Sequence, residues 1–267
     1  MDRVHNPADG VAVAFRAVGE GSPVVLLHPT GLSQAVWRSF GYVDGLDGHR
    51  LVLPDFRGHG RSDKPHDVGS YAMDRLVGDV VAVLDECGID RTSVVGYSLG
   101  SRVALALATS VPDRIDRLVL GGTSSRALHG AFDELFFPGC AAVLADEGMD
   151  AFITRWERQR GTDLDPATRA AFDRNDAAAL SAYMTSVDAE PGVPDDALAG
   201  IAAPTLAFVG SADGGRLEDT RHVAATIPDC GLVVVDGTDH ATTLAATSTV
   251  LPAIREHLAT GGQTTVD

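Results

Sequence analysis

The stretch SVVGYSLGSRVALALA, residues 93–108, changes character at Ser98. Before it runs a short apolar segment with the pattern of a strand buried on both faces. After it comes an alanine- and leucine-rich helical run that Pro112 ends. Ser98 stands between Gly96 and Gly100, so the pattern is strand, G-x-S-x-G, helix. A turn that sharp has no room for side chains at its flanks. It pushes the serine hydroxyl out at the C-terminal edge of a sheet, above a helix N-terminus. A serine that only caps the helix would account for Ser98 but not for both glycines. Its context makes Ser98 a candidate nucleophile.

The segments on either side repeat the alternation. VAVAFRAVG (11–19) reads as an alternating strand, and PVVLLH (23–28), HRLVLPD (49–55), IDRLVLGG (115–122), PTLAFVG (204–210) and GLVVVDG (231–237) read as buried ones. Between them lie helical patterns. In YAMDRLVGDVVAVLDECG, Leu76, Val77, Val80, Val81 and Leu84 form one stripe, and Gly88 is placed as a C-cap. EDTRHVAATI follows the strand at 204–210, and TLAATSTVLPAIREHLA comes near the chain's end. This alternation predicts an α/β fold, a mostly parallel sheet with helices on both faces. From about Ser124 to about Pro194 the patterns are helical only, with Gly and Pro breaks. The expected organisation is a core in two parts, 1–123 and 195–267, with a helical insertion at 124–194. The tail TGGQTTVD is expected to fray.

A nucleophilic serine needs a base, and the base needs an orienting carboxylate. Of nine histidines, His240 lies just after the last strand, at the edge where Ser98 is displayed. His222 and His257 sit inside helical patterns, and His5, His49, His66 and His129 have no strand-end placement. Asp213, in FVGSADGG, follows the preceding strand at the same edge. Asp239 adjoins His240 in sequence, a spacing poorly suited to a bond through the imidazole. The stretch GGTSSR after the strand at 115–122 offers no carboxylate, which favours Asp213. An oxyanion needs preorganised N–H donors. The N–H of Leu99, directly after the serine, is one candidate. The loop in VVLLHPTG supplies the other: Pro29 has no N–H, so the duty falls to Thr30. His28 is read as bracing this turn.

Bulk properties set limits. The chain has 267 residues, 45% hydrophobic and 22% charged, enough to bury a sizeable core. Its net charge of −16 disfavours nucleic acid and anionic membrane surfaces as partners. The N-terminal MDRVHNPADG lacks an apolar signal-peptide region, and no apolar run has the length of a membrane span. A cytoplasmic protein is expected. Cys87, Cys140 and Cys230 have neither metal-ligand spacing nor the look of a disulfide framework.

In this order, Ser98, Asp213 and His240 resemble the triad of the α/β-hydrolase superfamily, and the resemblance covers nearly the whole chain. LPDFRGHGRSDKP (53–65) is similar to that family's D-x-R-G-x-G-x-S loop, with Asp55, Arg57, Gly58, Gly60 and Ser62 in place. The chain looks most like the small single-domain branch with 3-oxoadipate enol-lactonases, cofactor-free haloperoxidases (perhydrolases) and related esterases. It departs from the pattern at Pro29, where glycine is usual, at Ser101 after the turn, at Asp239 before the histidine, and in an acid loop without the common downstream proline. The resemblance implies an α/β-hydrolase fold and a serine hydrolase that cleaves a small ester or lactone without metal or organic cofactor. It also leaves open carbon–carbon hydrolysis, thioester cleavage, peracid formation, or a receptor that binds a small molecule without cleaving it. The insertion becomes a cap, with Trp37, Phe136 and Trp156, and also Phe137, Phe152 and Tyr183, as candidate pocket walls, core packing being the alternative for each. The sequence says nothing of oligomeric state.

Overall fold

The computed structural model describes residues 1–259, so the tail TGGQTTVD lies outside the described residues. In chain order the elements are β1 (Asp2–His5), β2 (Ala12–Val18), β3 (Ser22–Leu27), α1 (Ala35–Ser39), α2 (Tyr42–Gly45), β4 (His49–Pro54), α3 (Met73–Glu86), β5 (Thr92–Tyr97), α4 (Leu99–Ser110) and β6 (Ile115–Gly121). Then come α5 (Ala131–Leu135), α6 (Cys140–Asp146), α7 (Met149–Arg160), α8 (Pro166–Phe172), α9 (Ala177–Asp188), α10 (Asp195–Ala199), β7 (Thr205–Gly210), α11 (Gly214–Thr226), β8 (Cys230–Val235) and α12 (Thr247–Ala259).

One sheet takes all eight strands in the order β1-β2-β4-β3-β5-β6-β7-β8. Strand β2 runs antiparallel to β1 and β4, and every pairing from β4 to β8 is parallel. The two-residue period of a strand divides the core in two. Val25, Leu27, Val94, Leu118 and Leu120 face α3 and α4. Their neighbours Val24, Leu26, Val95, Val119 and Phe208 face the other way, onto Tyr42, Leu46, Val250 and Ile254. All of these are buried, and each such aliphatic side chain stabilises the fold by about 1.5–3 kcal/mol. The continuous apolar strands of the sequence thus face both layers of helices, except β8: read as buried, it is the sheet's edge strand and leaves Leu232 and Val234 exposed.

Helix α3 ends at Glu86 as its glycine suggested. Gly88 adopts φ +64°, and its N–H donates to the Asp85 carbonyl while the N–H of Ile89 reaches Leu84. These two bonds are a Schellman closure of the helix end. Between β6 and β7 the described residues hold six helices, α5 to α10, and no strand. The two ends of this run lie side by side: the Val193 N–H donates to the Ser125 carbonyl at 2.7 Å. Arg102, in the first turn of α4, donates to the Ser124 and Arg126 carbonyls. No helix among the described residues is long and apolar enough to cross a membrane.

Candidate active site

The junction quoted at the outset is a sharp turn. Ser98 is the one non-glycine residue with positive φ among those described, at φ 53° and ψ −113°. A side chain there carries about 1–3 kcal/mol of backbone strain, a cost found chiefly where function requires it. Its flanks explain the glycines. A Cβ on Gly96 would collide with the backbone of Gly100, and one on Gly100 with the Leu27 carbonyl. Ser98 precedes α4 as its N-terminal residue, yet its hydroxyl makes no cap bond. The hydroxyl instead lies 2.9 Å from Nε2 of His240.

His240 is carried by the loop after β8, and its Nδ1 is 2.9 Å from Oδ2 of Asp213. Asp213 stands at the N-terminus of α11 and, like Ser98, caps nothing with its side chain. The carboxylate is nearly buried and the imidazole partly so. With a bond from carboxylate to Nδ1, the imidazole carries its proton there and leaves Nε2 free to accept from the serine. The neighbouring Asp239 is otherwise engaged: its Oδ1 accepts from the Ala241 and Thr242 N–H groups and from the Thr242 hydroxyl. That carboxylate shapes the histidine loop. Gly122, the residue after β6, keeps the imidazole's other side open, since a Cβ there would sit 3.0 Å from Cε1 of His240.

The loop after β3 carries Thr30, the other candidate oxyanion donor. Among the described residues, neither the Thr30 N–H nor the Leu99 N–H donates to another protein group. His28 is fully buried and braces the turn. Its Nδ1–H donates to the Pro29 carbonyl at 2.8 Å, and its Nε2 accepts from the Phe56 N–H at 3.0 Å. Burial pushes its pKa down to about 4, so the ring is neutral and both bonds keep their sense. The D-x-R-G loop is structural in its contacts. Arg57 forks onto Asp79 and Asp9, and Asp55 accepts from the Gln34 and Arg61 N–H groups.

The aromatic candidates divide. Trp37 is fully buried edge-on against Tyr42, in the core layer that α12 covers. That seat is core packing, the alternative to a pocket wall for this ring. Phe136 and Trp156 meet edge to face, with centroids 4.9 Å apart, inside a cluster with Phe152 and Phe172. They form the interior of the helical insertion. Phe172 in turn packs over Gly31, where a Cβ would approach its ring to 2.7 Å. Two residues that sequence reasoning did not single out hold the loops of the candidate site: Tyr97, whose hydroxyl donates to the His240 carbonyl, and Asn175, whose amide donates to the Gly31 carbonyl at 2.7 Å. Tyr97 occupies the variable position of G-x-S-x-G, so the motif carries no signal for it.

An eight-stranded sheet with a serine turn after its fifth strand, and Asp and His after its last two, defines the α/β-hydrolase class. Residues 22–163 match the family model described as alpha/beta hydrolase fold, and the chain belongs to that family. It is 31% identical over 214 residues to a 2-hydroxymuconate semialdehyde hydrolase of Pseudomonas sp. strain CF600, covering 76% of this chain and 66% of the relative. It is 37% identical over 117 residues to a 2-hydroxy-6-oxo-2,4-heptadienoate hydrolase of Pseudomonas putida, covering 43% of this chain and 42% of the relative. These matches therefore span less than two thirds of either relative's length. The structure is similar to that of the enol-lactonase from Burkholderia xenovorans LB400, with a TM-score of 0.80, 23% identity, and 94% and 97% of the two chains covered. At that identity the likeness is one of fold.

Proposed function

We propose that the protein is a serine hydrolase that cleaves a small carboxylic ester or lactone through an acyl-enzyme. The observation that carries this reading is the unbroken relay Ser98 Oγ, His240 Nε2 and Nδ1, Asp213 Oδ2, with two links of 2.9 Å. Ser98 attacks the carbonyl carbon while His240 takes its proton. Asp213 orients the ring and stabilises the imidazolium. The developing oxyanion accepts from the Thr30 and Leu99 N–H groups. His240 then protonates the departing alkoxide. Water, deprotonated by the same imidazole, releases the acid and restores the serine. Residues 124–194 form the cap over this site, and Phe136 and Trp156 shape it from within.

A second reading keeps the same three residues and changes the bond cleaved. That alternative is carbon–carbon hydrolysis of a vinylogous diketone, and the match to a 2-hydroxymuconate semialdehyde hydrolase favours it as the second reading. Kinetics on p-nitrophenyl esters, lactones and dienoate diketones separate the two. In either case Ser98→Ala abolishes turnover while the circular dichroism spectrum is unchanged. Turnover that survives the substitution would overturn both readings.

A further inference from the structure

The loop bearing the Thr30 N–H is gripped from two sides. From the core, His28 holds Pro29. From the helical insertion come three contacts: the Phe172 ring over Gly31, the Asn175 amide on the Gly31 carbonyl, and the Tyr183 hydroxyl, which shares a 3.0 Å hydrogen bond with Oγ1 of Thr30. The last bond joins residues 153 positions apart.

Tyr183 is itself held. It lies on α9 with 2% of its surface exposed. Its ring meets His59, Phe132 and Tyr71 edge-on, with centroids 5.5, 5.8 and 6.1 Å away. Burial pushes the phenol up to about 12, so it stays protonated. Threonine is stiff at χ1, because two heavy atoms on Cβ leave few rotamers. Fixing Oγ1 therefore fixes the Cα–Cβ direction, and with it the backbone that carries the adjacent N–H. Pro29 has no N–H to substitute for it, so the orientation of this one peptide matters.

We propose that Tyr183 is a positioning residue for the oxyanion site, acting through the Thr30 side chain to aim the Thr30 N–H. The inference rests on the reading of Thr30 as an oxyanion donor. It gives the inserted helices a part in acyl transfer itself, beyond shaping what reaches the serine. A donor held off its line stabilises the oxyanion less, while ground-state binding hardly changes.

The test compares wild type with Tyr183→Phe, Thr30→Val, their double variant and Thr30→Ser. Two quantities are read: kcat and KM on p-nitrophenyl butyrate, and the inhibition constant of an alkyl boronic acid, whose tetrahedral serine adduct mimics the oxyanion. Tyr183→Phe is expected to lower kcat roughly tenfold and to weaken the boronate by a similar factor, with KM within about twofold. Thr30→Val removes the same bond from its other end and should match, whether or not Tyr183→Phe folds. The double variant should be no worse than either single one, and Thr30→Ser, which keeps the hydroxyl, should recover most of the rate. Folded variants with unchanged kcat and boronate affinity, or with changes confined to KM and Tm, would overturn the proposal and leave the serine hydrolase reading standing. Turnover by Ser98→Ala equal to wild type, or no turnover by wild type, would overturn both.

Discussion

The Tyr97 hydroxyl donates to the main-chain carbonyl of His240 at 2.7 Å, and the two rings lie 5.4 Å apart. The residue next to the candidate nucleophile thus holds the backbone of the candidate base. Burial raises the phenol far above its ordinary range, with Asp213 adding to the effect, so the donor keeps its proton.

Tyr97→Phe keeps the ring and deletes one bond. The expected cost is about 1 kcal/mol of stability. The sharper consequence is catalytic: with the loop less constrained, kcat should fall several-fold while KM changes little. Steady-state kinetics beside a urea titration read both. A variant that loses stability with kcat intact would show that the bond serves only the fold.

The dihedral angles of Ser98 make a prediction about stability. Glycine adopts such angles without strain, although it has more unfolded-state entropy to lose. Relief of about 1–3 kcal/mol outweighs that loss, so Ser98→Gly should be inactive yet more stable than wild type by about 1 kcal/mol, or about 2–4 °C in Tm. Ser98→Ala keeps the strain and should gain little. Equal melting temperatures for the two variants would remove strain from the description of this turn.

Acid should destabilise the protein through two histidines outside the relay. Burial holds His28 at about 4, and burial together with His28 holds His59 at about 3. The unfolded chain takes up these protons near pH 6.5, so between there and pH 4 it binds more protons than the folded chain. Their contribution is complete above pH 6.5 and is lost as the pH falls, by about 2 kcal/mol per histidine between pH 7 and pH 5. Urea unfolding of wild type and His59→Gln at the two pH values reads the difference. The variant should show a smaller loss by about that amount, and parallel losses would assign the acid sensitivity to other groups.

The alternation of short apolar runs with helical stripes was enough to place seven strands, because an apolar run bounded by Gly, Pro and polar residues marks a strand whether both its faces are buried, as in β5 and β7, or not, as in β8. Strand β1 escaped, since DRVH is short, charged and largely exposed, and pairing with β2 alone makes it a strand. Helix α11 starts at Gly214 and Gly215, two residues that read as loop because glycine is a poor helix former. Strand ends located Ser98, Asp213 and His240, whose side chains share one sheet edge. The partners Tyr97 and Tyr183 were not legible in the same way. Their roles depend on contacts across 143 and 153 positions, and an aromatic residue on a buried element looks the same in sequence whether it holds a loop or fills a core.

The strand order has a consequence for how the protein is made. Ser98 enters on β5, while Asp213 and His240 follow β7 and β8, which join the sheet in the order they are synthesised. A nascent chain synthesised only through β6 carries Ser98 but neither Asp213 nor His240. The serine hydroxyl is then no more reactive than that of any other alcohol. The hydrogen-bonded relay from Ser98 through His240 to Asp213 closes only after the loop following β8 has been made, so in synthesis from the N-terminus the last strand of the sheet precedes the last member of the relay.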